Sequence, residues 1–557
     1  MINSNEWSGD HRHTKIVLVA VVLVLLSGTM LDGWLVIPVK ANPRTIHVDI
    51  SNIGDPDEDG SLEHPFDKIQ EGVDAASSGD IVDVASGIYY ENVEVSKSRI
   101  SLVGENGGSI IDGNGTGQGI RVKGYPPDFV EYLTISGFTI QNCAKGLTLV
   151  RCRNVYLRNN SMIENVYNFA DYSLQVNDVD TSNTVDEKPI YYWVNQHDKQ
   201  VPADAGYVAV IGSRKIVVKN LNLTSNGQGI LFKNTTGSLI ENVRVSNNSE
   251  GIYLDVWSDN NIIANNTVSN NAIIGVYVST SSGNVISGNK ISKSDYGIFL
   301  ASSGNFIENN ELIGNRKGLV LFGQGSSLVS GNIVRGNMLS NNTVGVSTRF
   351  SLENIIYHNN FVNNENQTES FNGVDVWDYL GEGNYWSDYV GGDESDNGIG
   401  DTPYLIDEDN RDNYPLMGLY KDYKVMWQGT AYHLASISNS VISELSLSQP
   451  EKSISFYVFS TDDGMDFCRV TIPEVLLGGP YKVLIDDLPP VTVSEESNGT
   501  HAFLFFTYYQ GNRRVKIFGE TVIPEFPTAF FLSLLMVATL LIVVLRRLNL
   551  LNTSVRG

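Results

Sequence analysis

The sequence has little cysteine, few basic residues and almost no pattern of helical period. Three cysteines among 557 residues, Cys143, Cys152 and Cys468, exclude a disulfide framework, and without a C-x-x-C pair they exclude a typical zinc site. Whether Cys143 and Cys152 pair stays open. The 38 Lys and Arg against 63 Asp and Glu give a net charge of −25. Such an acidic chain repels phosphate, which excludes a nucleic-acid partner. The same acidic surface is suited to binding divalent cations.

Long apolar runs are missing from the body of the chain and occur only near its ends. Arg12 and Lys15 precede the run 16–26, and a small residue, Ala41, follows, which is the order of a secretory signal peptide at 1–41. Residues 528–545 are uncharged and long enough to cross a hydrocarbon core of about 30 Å. Two arginines follow this run, so the C-terminus is expected in the cytoplasm and the body outside the cell.

Self-similarity at a fixed spacing dominates the middle of the chain. A glycine followed by alternating apolar residues recurs in steps of 22, 24, 22, 21 and 27 residues, at Gly229, Gly251, Gly275, Gly297, Gly318 and Gly345. A period of this length indicates a solenoid. Each repeat holds short alternating segments between Gly, Asn and Ser. This pattern predicts an all-β fold, a right-handed single-stranded parallel β-helix with coils about 4.8 Å apart.

One asparagine recurs in phase with the repeat, just before an inward apolar residue. Its positions are Asn266, Asn289, Asn310, Asn337 and Asn359. Stacked at a turn, these amides can hydrogen-bond to one another and to backbone groups that would otherwise be buried without partners. We interpret the column as structural.

The changes in texture along the chain predict four parts. These are a signal peptide at 1–41, the β-helix at 42–417, a small β-sandwich at 418–521, and a linker, transmembrane helix and tail at 522–557. A short helix within 64–95 is expected to cap the open end of the solenoid. Residues 164–206 break the period, so they are expected to project from one face as an insertion.

Several stretches resemble a known group. "GSLEHPFDKIQEGVDAA" (60–76), the glycine-led coils, "KPIYYWVNQHDKQVPADAGYV" (188–208) and "GNYWSDY" (383–389) are similar to archaeal secreted β-helix proteins with NosD-type, or PbH1, repeats. "IPEFP" (523–527) resembles the PEF-type C-terminal membrane anchors of archaeal surface proteins. The resemblance covers about 45–417 and implies a pectin-lyase-like fold, grouped with carbohydrate binding and sugar hydrolysis. Fold alone does not fix activity.

An outward column of side chains is the candidate carbohydrate-binding surface. In each glycine-led strand the second residue after the glycine points outward, which gives the column Leu231, Tyr253, Tyr277, Phe299 and Val320. Stacked aromatic rings suit the apolar faces of sugars, so we predict Tyr253, Trp257, Tyr277 and Phe299 as binding residues. Asp255, Asp259 and Asp295 are the candidates for acid–base chemistry. The alternative is that the 164–206 segment covers the column.

Two acidic loops have the oxygen spacing of calcium loops. One comprises Asp393, Ser395, Asn397 and Asp401, and the other Asp55, Asp57, Asp59 and Glu63. In the first, Tyr404 stands where a bidentate acid is expected. Calcium and plain turns rich in Asp and Asn are both open readings, and in either case the loops would stiffen the ends of the solenoid.

No intact catalytic or copper-binding motif is recognisable. "GIYYE" (87–91) matches one element of pectin methylesterases, but the other elements of that family are missing, which favours a structural coil. The NosD resemblance suggests copper handling, yet no cluster of Met or Cys supplies soft ligands, and the histidines at 47, 64, 197, 358, 433 and 501 are scattered. Copper is therefore not expected.

The sequence as a whole favours a cell-surface β-helix protein that binds or organises extracellular polysaccharide. A glycoside hydrolase or polysaccharide lyase acting along the β-helix is the alternative enzyme class, and a purely structural envelope spacer is the third.

Overall fold

The computed structural model describes residues 43–173, 175–427, 429–460, 464–523, 536–544 and 546. The described residues from Thr45 onward belong to one compact unit. The predicted signal peptide and most of the predicted anchor lie outside the described residues. Within the described ranges, no helix combines the length and apolar character needed to span a membrane.

The first half of the solenoid has three walls of short parallel strands, because each coil contributes one strand to each wall. One wall has six strands: Thr45–Val48, Ile81–Val84, Ser101–Gly104, Thr134–Ser136, Tyr156–Arg158 and Asp178–Val179. A second has four: Val93–Val95, Gln118–Lys123, Lys145–Val150 and Tyr167–Tyr172. The third wall begins the long sheet, with Gly87–Tyr89, Ser109–Asp112, Phe138–Gln141, Ser161–Ile163 and Thr184–Val185. A further pair joins Val130–Glu131 to Cys152–Arg153.

The second half repeats this plan with more regular coils. Its part of the long sheet holds Lys188–Val194, Tyr207–Ile211, Gln228–Lys233, Glu250–Asp255, Ile274–Ser279, Tyr296–Ala301, Lys317–Phe322, Val344–Arg349 and Asn366–Phe371. A ten-stranded wall holds His197–Gln200, Arg214–Lys219, Leu239–Glu241, Ile262–Ala264, Val285–Ser287, Phe306–Glu308, Val329–Ser330, Ile333–Arg335, Ser351–Tyr357 and Val374–Val376. An eight-stranded wall holds Asn222–Thr224, Arg244–Ser246, Thr267–Ser269, Lys290–Ser292, Glu311–Ile313, Met338–Ser340, Asn360–Val362 and Tyr385–Trp386. These parallel ladders confirm the predicted β-helix.

The two halves meet at a hairpin inside the long sheet. Thr184–Val185 pairs antiparallel with Lys188–Val194, so strand direction reverses there while the sheet continues. The interior changes sides at the same point. On the strand Tyr207–Ile211, Tyr207 belongs to the core of the first half, and its neighbour Val208 belongs to the core of the second. Two things therefore change at the hairpin, the strand direction and the face that points to the interior. Because the two changes cancel, both halves of the solenoid wind with the same hand.

The prediction that residues 164–206 project as an insertion is wrong. This segment supplies strands to four walls, from Tyr167–Tyr172 to His197–Gln200, and it contains the hairpin at which the solenoid changes direction. The sequence period is broken here because the cores of the two halves lie on opposite faces of the long sheet, and the chain has to change from one core to the other. A segment with ladder partners on both sides is part of the wall rather than an addition to it.

The stacked asparagines are confirmed, and they form a longer column than predicted. The Asn310 backbone N–H donates to Asn337 Oδ1 at 2.9 Å, and the Asn310 side-chain amide donates to the same oxygen at 2.9 Å. The pattern continues through Asn384 to Asp412, which ends the column by accepting from the Asn384 N–H at 2.7 Å. A second column runs through Asn261, Asn284, Asn305, Asn332, Asn354 and Asp375.

The predicted helix is Ile69–Ala75, and it packs on the first strands of the solenoid. Gly72 lies so close to this wall that an added Cβ would be 2.7 Å from Val48 and 2.9 Å from Val82. Glu91 accepts from the N–H groups of Ile69 and Gln70 at 2.8 and 3.0 Å. The glutamate of the "GIYYE" stretch therefore caps a helix terminus, which gives that motif a structural role.

Two antiparallel sheets share one core after the solenoid. The larger holds Leu419–Trp427, Thr430–Ser438, Met465–Pro473, Ser494–Ser497 and His501–Tyr509, and the smaller holds Val441–Ser448, Ser453–Phe459, Lys482–Ile485 and Arg513–Phe518. Short pairs add Tyr404–Leu405 with Arg411–Asp412, and Leu477–Gly478 with Thr521–Val522. A single 3₁₀ turn, Ile50–Asn52, completes the described helices of the body.

Candidate functional site

The predicted outward column is covered at one end and open in its middle. Leu231 is fully buried because it belongs to the core of the first half, and Tyr253 packs against that core. Tyr277 and Phe299 are half-buried on the outer face of the long sheet, and Val320 is buried. The 164–206 segment therefore covers the start of the column, and the rings of Tyr277 and Phe299 stay accessible.

Aromatic rings stack from coil to coil along this face. Tyr253 and Tyr277 are stacked with centroids 4.5 Å apart, and Phe299 meets Tyr277 edge-on at 5.4 Å. Phe299 also lies 5.4 Å from Phe322 in the next coil. The parallel register places these residues on neighbouring strands, so their spacing follows from the coil repeat. The result is a continuous apolar strip with π-faces and edges directed outward.

A groove of about 760 Å³ lies along this strip and spans four coils. Trp257, which is 63% exposed, belongs to its first coil, and a loop at 323–329 belongs to its last. The rest of the lining is rich in serine and threonine, namely Ser279, Thr280, Ser281, Ser282, Ser302, Ser303 and Ser327. The hydroxyls of Ser281 and Ser302 are buried and bonded within the stacked turns, so the others supply the accessible hydroxyl groups. An apolar strip edged by small polar groups is the usual character of a ligand site.

Sequence reasoning missed Phe322 and the loop at 323–329. A signal for the loop was present, since the step from Gly318 to Gly345 is 27 residues, longer than the other steps. Phe322 is the fourth residue after Gly318. The residues at this position in successive coils form a second outward column beside the predicted one. The extra residues of this coil leave the wall as a loop that borders the groove.

The three candidate catalytic carboxylates lie in different surroundings. Asp255 is buried, accepts from the Tyr253 hydroxyl at 3.2 Å and is the register partner of Lys233. Burial raises the pKa of the Asp255 carboxyl, and Lys233 opposes this rise. Asp259 lines the groove, and Asp295 pairs with Arg316 at 3.5 Å outside it. Of these three acids, Asp259 alone lines the groove, while Asp255 is engaged with Tyr253 and Asp295 with Arg316.

A buried ionic cluster holds the two halves of the solenoid together. Lys233 lies 3.6 Å from Asp171, and both side chains are almost fully buried. Asp171 also accepts from the Tyr192 hydroxyl at 2.8 Å and from the Ser173 N–H at 2.8 Å. A buried pair needs such additional hydrogen bonds to offset its desolvation. This cluster covers the first coil of the outward column.

The partly buried carboxyl of Glu250 allows the burial of side chains between the two halves to be tested. Burial raises the pKa of its carboxyl from 4.5 to about 7, although Gln228 donates to it at 3.2 Å. Because the folded-state pKa exceeds the unfolded one, the folded protein holds the proton more tightly, and stability falls as pH rises from about 4.5 to 7. We expect Glu250→Gln to remove this loss, so that the variant melts above the wild type at pH 8.

Thermal unfolding at pH 5 and pH 8 measures this difference. The exposed Glu365→Gln is the matched control and is expected to melt like the wild type at both pH values. A Glu250→Gln variant with the same pH dependence as the wild type would contradict the assignment of the proton to Glu250.

The loop at 391–404 uses its predicted ligand oxygens within the loop itself. Asp393 accepts from the N–H groups of Asn397 and Gly398 at 3.1 and 2.7 Å. Asp401 accepts from the Glu394 N–H at 2.6 Å and the Ser395 hydroxyl at 2.9 Å, and these bonds lower the pKa of its carboxyl. Such contacts are typical of turns rich in Asp and Asn, the alternative that the sequence left open.

The loop at 55–63 has similar contacts. Asp55 accepts from the Asp57 N–H at 3.0 Å and meets His64 at 2.8 Å, while Asp59 accepts from the Ser61 N–H at 2.9 Å and Glu63 is exposed. Oxygens of Glu58, an acid of this loop that was not predicted as a ligand, and of Asp67 and Glu71 beyond it lie within 4.8 Å of one another. Lys68 Nζ is 2.7 Å from Glu71 and 3.5 Å from Asp67, so a lysine already balances part of this charge.

The described residues do not assemble a copper site. The six histidines between residues 47 and 501 have separate neighbours, for example Asp83 for His47 and Asp422 for His433. All three cysteines are free and buried, and burial raises the pKa of the Cys143 thiol to about 11. Thiols in this state are poor metal ligands, since the thiolate is the form that binds.

Comparison with known proteins gives a partial family match. The family described as "Periplasmic copper-binding protein (NosD)" matches residues 181–391. A protein from Pseudomonas aeruginosa called "Probable ABC transporter binding protein NosD" is 30% identical over 166 residues, covering 27% of this chain and 37% of its own length. A protein of the same name from Stutzerimonas stutzeri is 30% identical over 149 residues, 24% of this chain and 33% of its own. The chain thus spans about a third of the length of these relatives.

Solved structures with similar coils include a module of a mannuronan C-5 epimerase and an alginate lyase. The Azotobacter vinelandii mannuronan C-5 epimerase AlgE6 A-module is 16% identical over 60% of this chain and 100% of its own, with a TM-score of 0.26. An alginate lyase from a Paenibacillus species is 12% identical over 60% of this chain and 99% of its own, with a TM-score of 0.23. Likeness at this level gives no information on chemistry. By sequence, residues 181–391 of this parallel β-helix are similar to the NosD family.

Proposed function

We propose that this protein binds extracellular polysaccharide through the groove on the long sheet. The observation that carries the proposal is the aromatic strip formed by Tyr277, Phe299 and Phe322. The same groove is lined by Trp257 and by serine and threonine side chains. Aromatic faces cover the apolar faces of sugar rings, and hydroxyl side chains exchange hydrogen bonds with sugar hydroxyls. The signal and anchor predicted from the sequence would hold this groove outside the cell.

Binding is a better proposal than catalysis for this groove. One carboxylate, Asp259, lines it, while Asp255 is buried at the junction beside Lys233 and Asp295 is paired with Arg316. An acid and a base flanking one bond need two groups that face each other. The copper chemistry named for the NosD family is not part of the proposal, because the described residues offer no convergent soft ligands.

The test is retention of the full-length protein on a panel of insoluble polysaccharides, with release of soluble sugar ends measured in the same samples. We expect retention without release, and we expect Tyr277→Ala and Phe299→Ala each to weaken it by about tenfold or more. The matched control is Phe306→Ala. Phe306 is an exposed aromatic residue on the strand that follows the strand of Phe299, and this strand belongs to a different wall. This variant should be retained like the wild type.

Three results would overturn the proposal. Retention that is unchanged in Tyr277→Ala and Phe299→Ala would place binding elsewhere. Release of sugar ends that disappears in Asp255→Ala would establish a polysaccharide hydrolase or lyase instead. No retention on any member of the panel would favour a structural spacer.

A further inference from the structure

The charge of the groove points to the class of polysaccharide that it takes. Of its seventeen lining residues, one is charged, and that residue is the acid Asp259. Seven others are serine or threonine, and the floor is aromatic. Uronate and sulfate groups need cationic or clustered N–H donors to replace their water. Within the described lining, no lysine or arginine is present to do this.

Asp259 is fixed in the groove as an acceptor. Its Oδ1 accepts from the Ser282 N–H at 2.6 Å and from the Ser282 hydroxyl at 3.2 Å. These donors come from the neighbouring coil, so the carboxylate is held at the edge of the groove by the wall itself. A fixed carboxylate attracts sugar hydroxyl donors and repels an anionic substituent placed beside it.

The cations nearest to this face in the following coils are already engaged. Lys317 pairs with Glu369 at 2.6 Å, and Arg316 pairs with Asp295 at 3.5 Å. The guanidinium of Arg349 lies over three rings, those of Phe322, Phe350 and Phe371, at 5.3 to 5.6 Å. For Lys317 and Arg316, binding an anion would mean giving up part of an existing ion pair. The net charge of −25 adds a long-range repulsion of polyanions.

Building on the proposed function, we infer that the groove selects uncharged polysaccharide and rejects chains that carry carboxylate or sulfate. Neutral hexose or pentose units present apolar ring faces to Tyr277 and Phe299 and hydroxyl donors to Asp259. An anionic unit makes the same ring contact but brings its charge toward Asp259, in a groove whose lining contains no lysine or arginine. Selectivity here rests on repulsion of the wrong ligand as well as attraction of the right one.

The experiment compares polysaccharides that differ only in charge. Each neutral member of the panel, such as xylan, mannan or hydroxyethyl cellulose, is tested beside the carboxymethyl derivative of the same backbone. We expect the full-length protein to bind each retained neutral chain at least about tenfold more tightly than its carboxymethyl derivative at low salt. Asp259→Asn removes the charge of the groove and is expected to narrow this difference. Glu311→Gln, on another wall, is the control.

The outcomes separate the two proposals. Equal binding of neutral and carboxymethyl chains overturns the inference on charge and leaves polysaccharide binding in place. Absence of binding to every chain, neutral or charged, overturns the proposed function itself. A charge preference that is unchanged in Asp259→Asn shows that the repulsion does not come from the groove, and this also overturns the inference. Repeating the series with chelator tests whether a divalent cation bridges the anionic chains.

Discussion

Replacement of Glu382 by glutamine is expected to cost about 3 kcal/mol of unfolding free energy. Glu382 connects the end of the solenoid with the two-sheet domain. Its Oε1 accepts from Arg469 at 2.6 Å, and its Oε2 meets His358 at 2.7 Å. Arg469 is buried, so without the carboxylate its charge would stay in the interface uncompensated.

The same carboxylate predicts a pH dependence. Burial opposes ionisation of Glu382, but the bond to His358 and the charge of Arg469 outweigh it and lower its pKa from 4.5 to about 2. Because the folded-state pKa is depressed, the stabilisation is complete above pH 4.5 and is lost as pH falls toward 2. Glu382→Gln should remove this part of the acid sensitivity.

Chemical denaturation at pH 7 and pH 3, followed by tryptophan fluorescence, measures both effects. Glu451→Gln is the matched control, since the Glu451 carboxyl is exposed where it meets Lys516 at 2.8 Å, and we expect a much smaller effect from its neutralisation. Combining Glu382→Gln with Arg469→Met should recover part of the loss, because the buried charge is then removed. A double variant as unstable as the sum of the single variants would contradict this explanation.

Truncation of one asparagine in the buried column has the second large expected effect. In Asn310→Ala, the Asn289 N–H loses its acceptor, and the Ile286 carbonyl loses the donor that lies 2.8 Å away. The N–H of Asn310 itself still reaches Asn337. Each buried polar group left without a partner costs about 1 to 3 kcal/mol, so we expect a loss of about 3 kcal/mol or more.

The neighbouring residue supplies the control for this prediction. Glu311 is exposed and pairs with Lys290 at 3.1 Å on the surface, so Glu311→Gln is expected to change stability by less than about 1 kcal/mol. Amide hydrogen exchange adds a local measurement. In Asn310→Ala, loss of protection should centre on the coils that contain Asn289 and Asn310. Uniform loss over the whole solenoid would show that the column acts through global stability alone.

Much of the fold could be predicted from the spacing of a few residue types. The glycine-led repeat gave the walls of the second half, and Asn266 to Asn359 gave a column whose bonds the structure confirms. Periodic patterns of this kind are local, since each coil contacts chiefly its neighbours, and so sequence order and spatial order coincide. Alternation within each strand likewise set which side chains point outward.

The irregular parts could not be predicted in the same way. Residues 164–206 were expected to project, because a broken period carries no information on where the chain pairs next. Their actual place depends on two cores that meet on opposite faces of one sheet, which brings Asp171 against Lys233 across 62 positions in the sequence. Contacts of this range depend on the complete solenoid and leave no local signature.

The sequence by itself thus determined a parallel β-helix, its asparagine column and the outward placement of Tyr277 and Phe299, because these follow from a repeat that is readable one coil at a time. The tertiary structure alone decided that the first half covers Leu231 and Tyr253, that the loop at 323–329 borders a groove, and that Asp259 alone of the three candidate acids lines it. The physical reason is that exposure and convergence depend on which distant elements pack on a face. A periodic sequence specifies which side chains share a face of the sheet, but not which distant segments pack on that face.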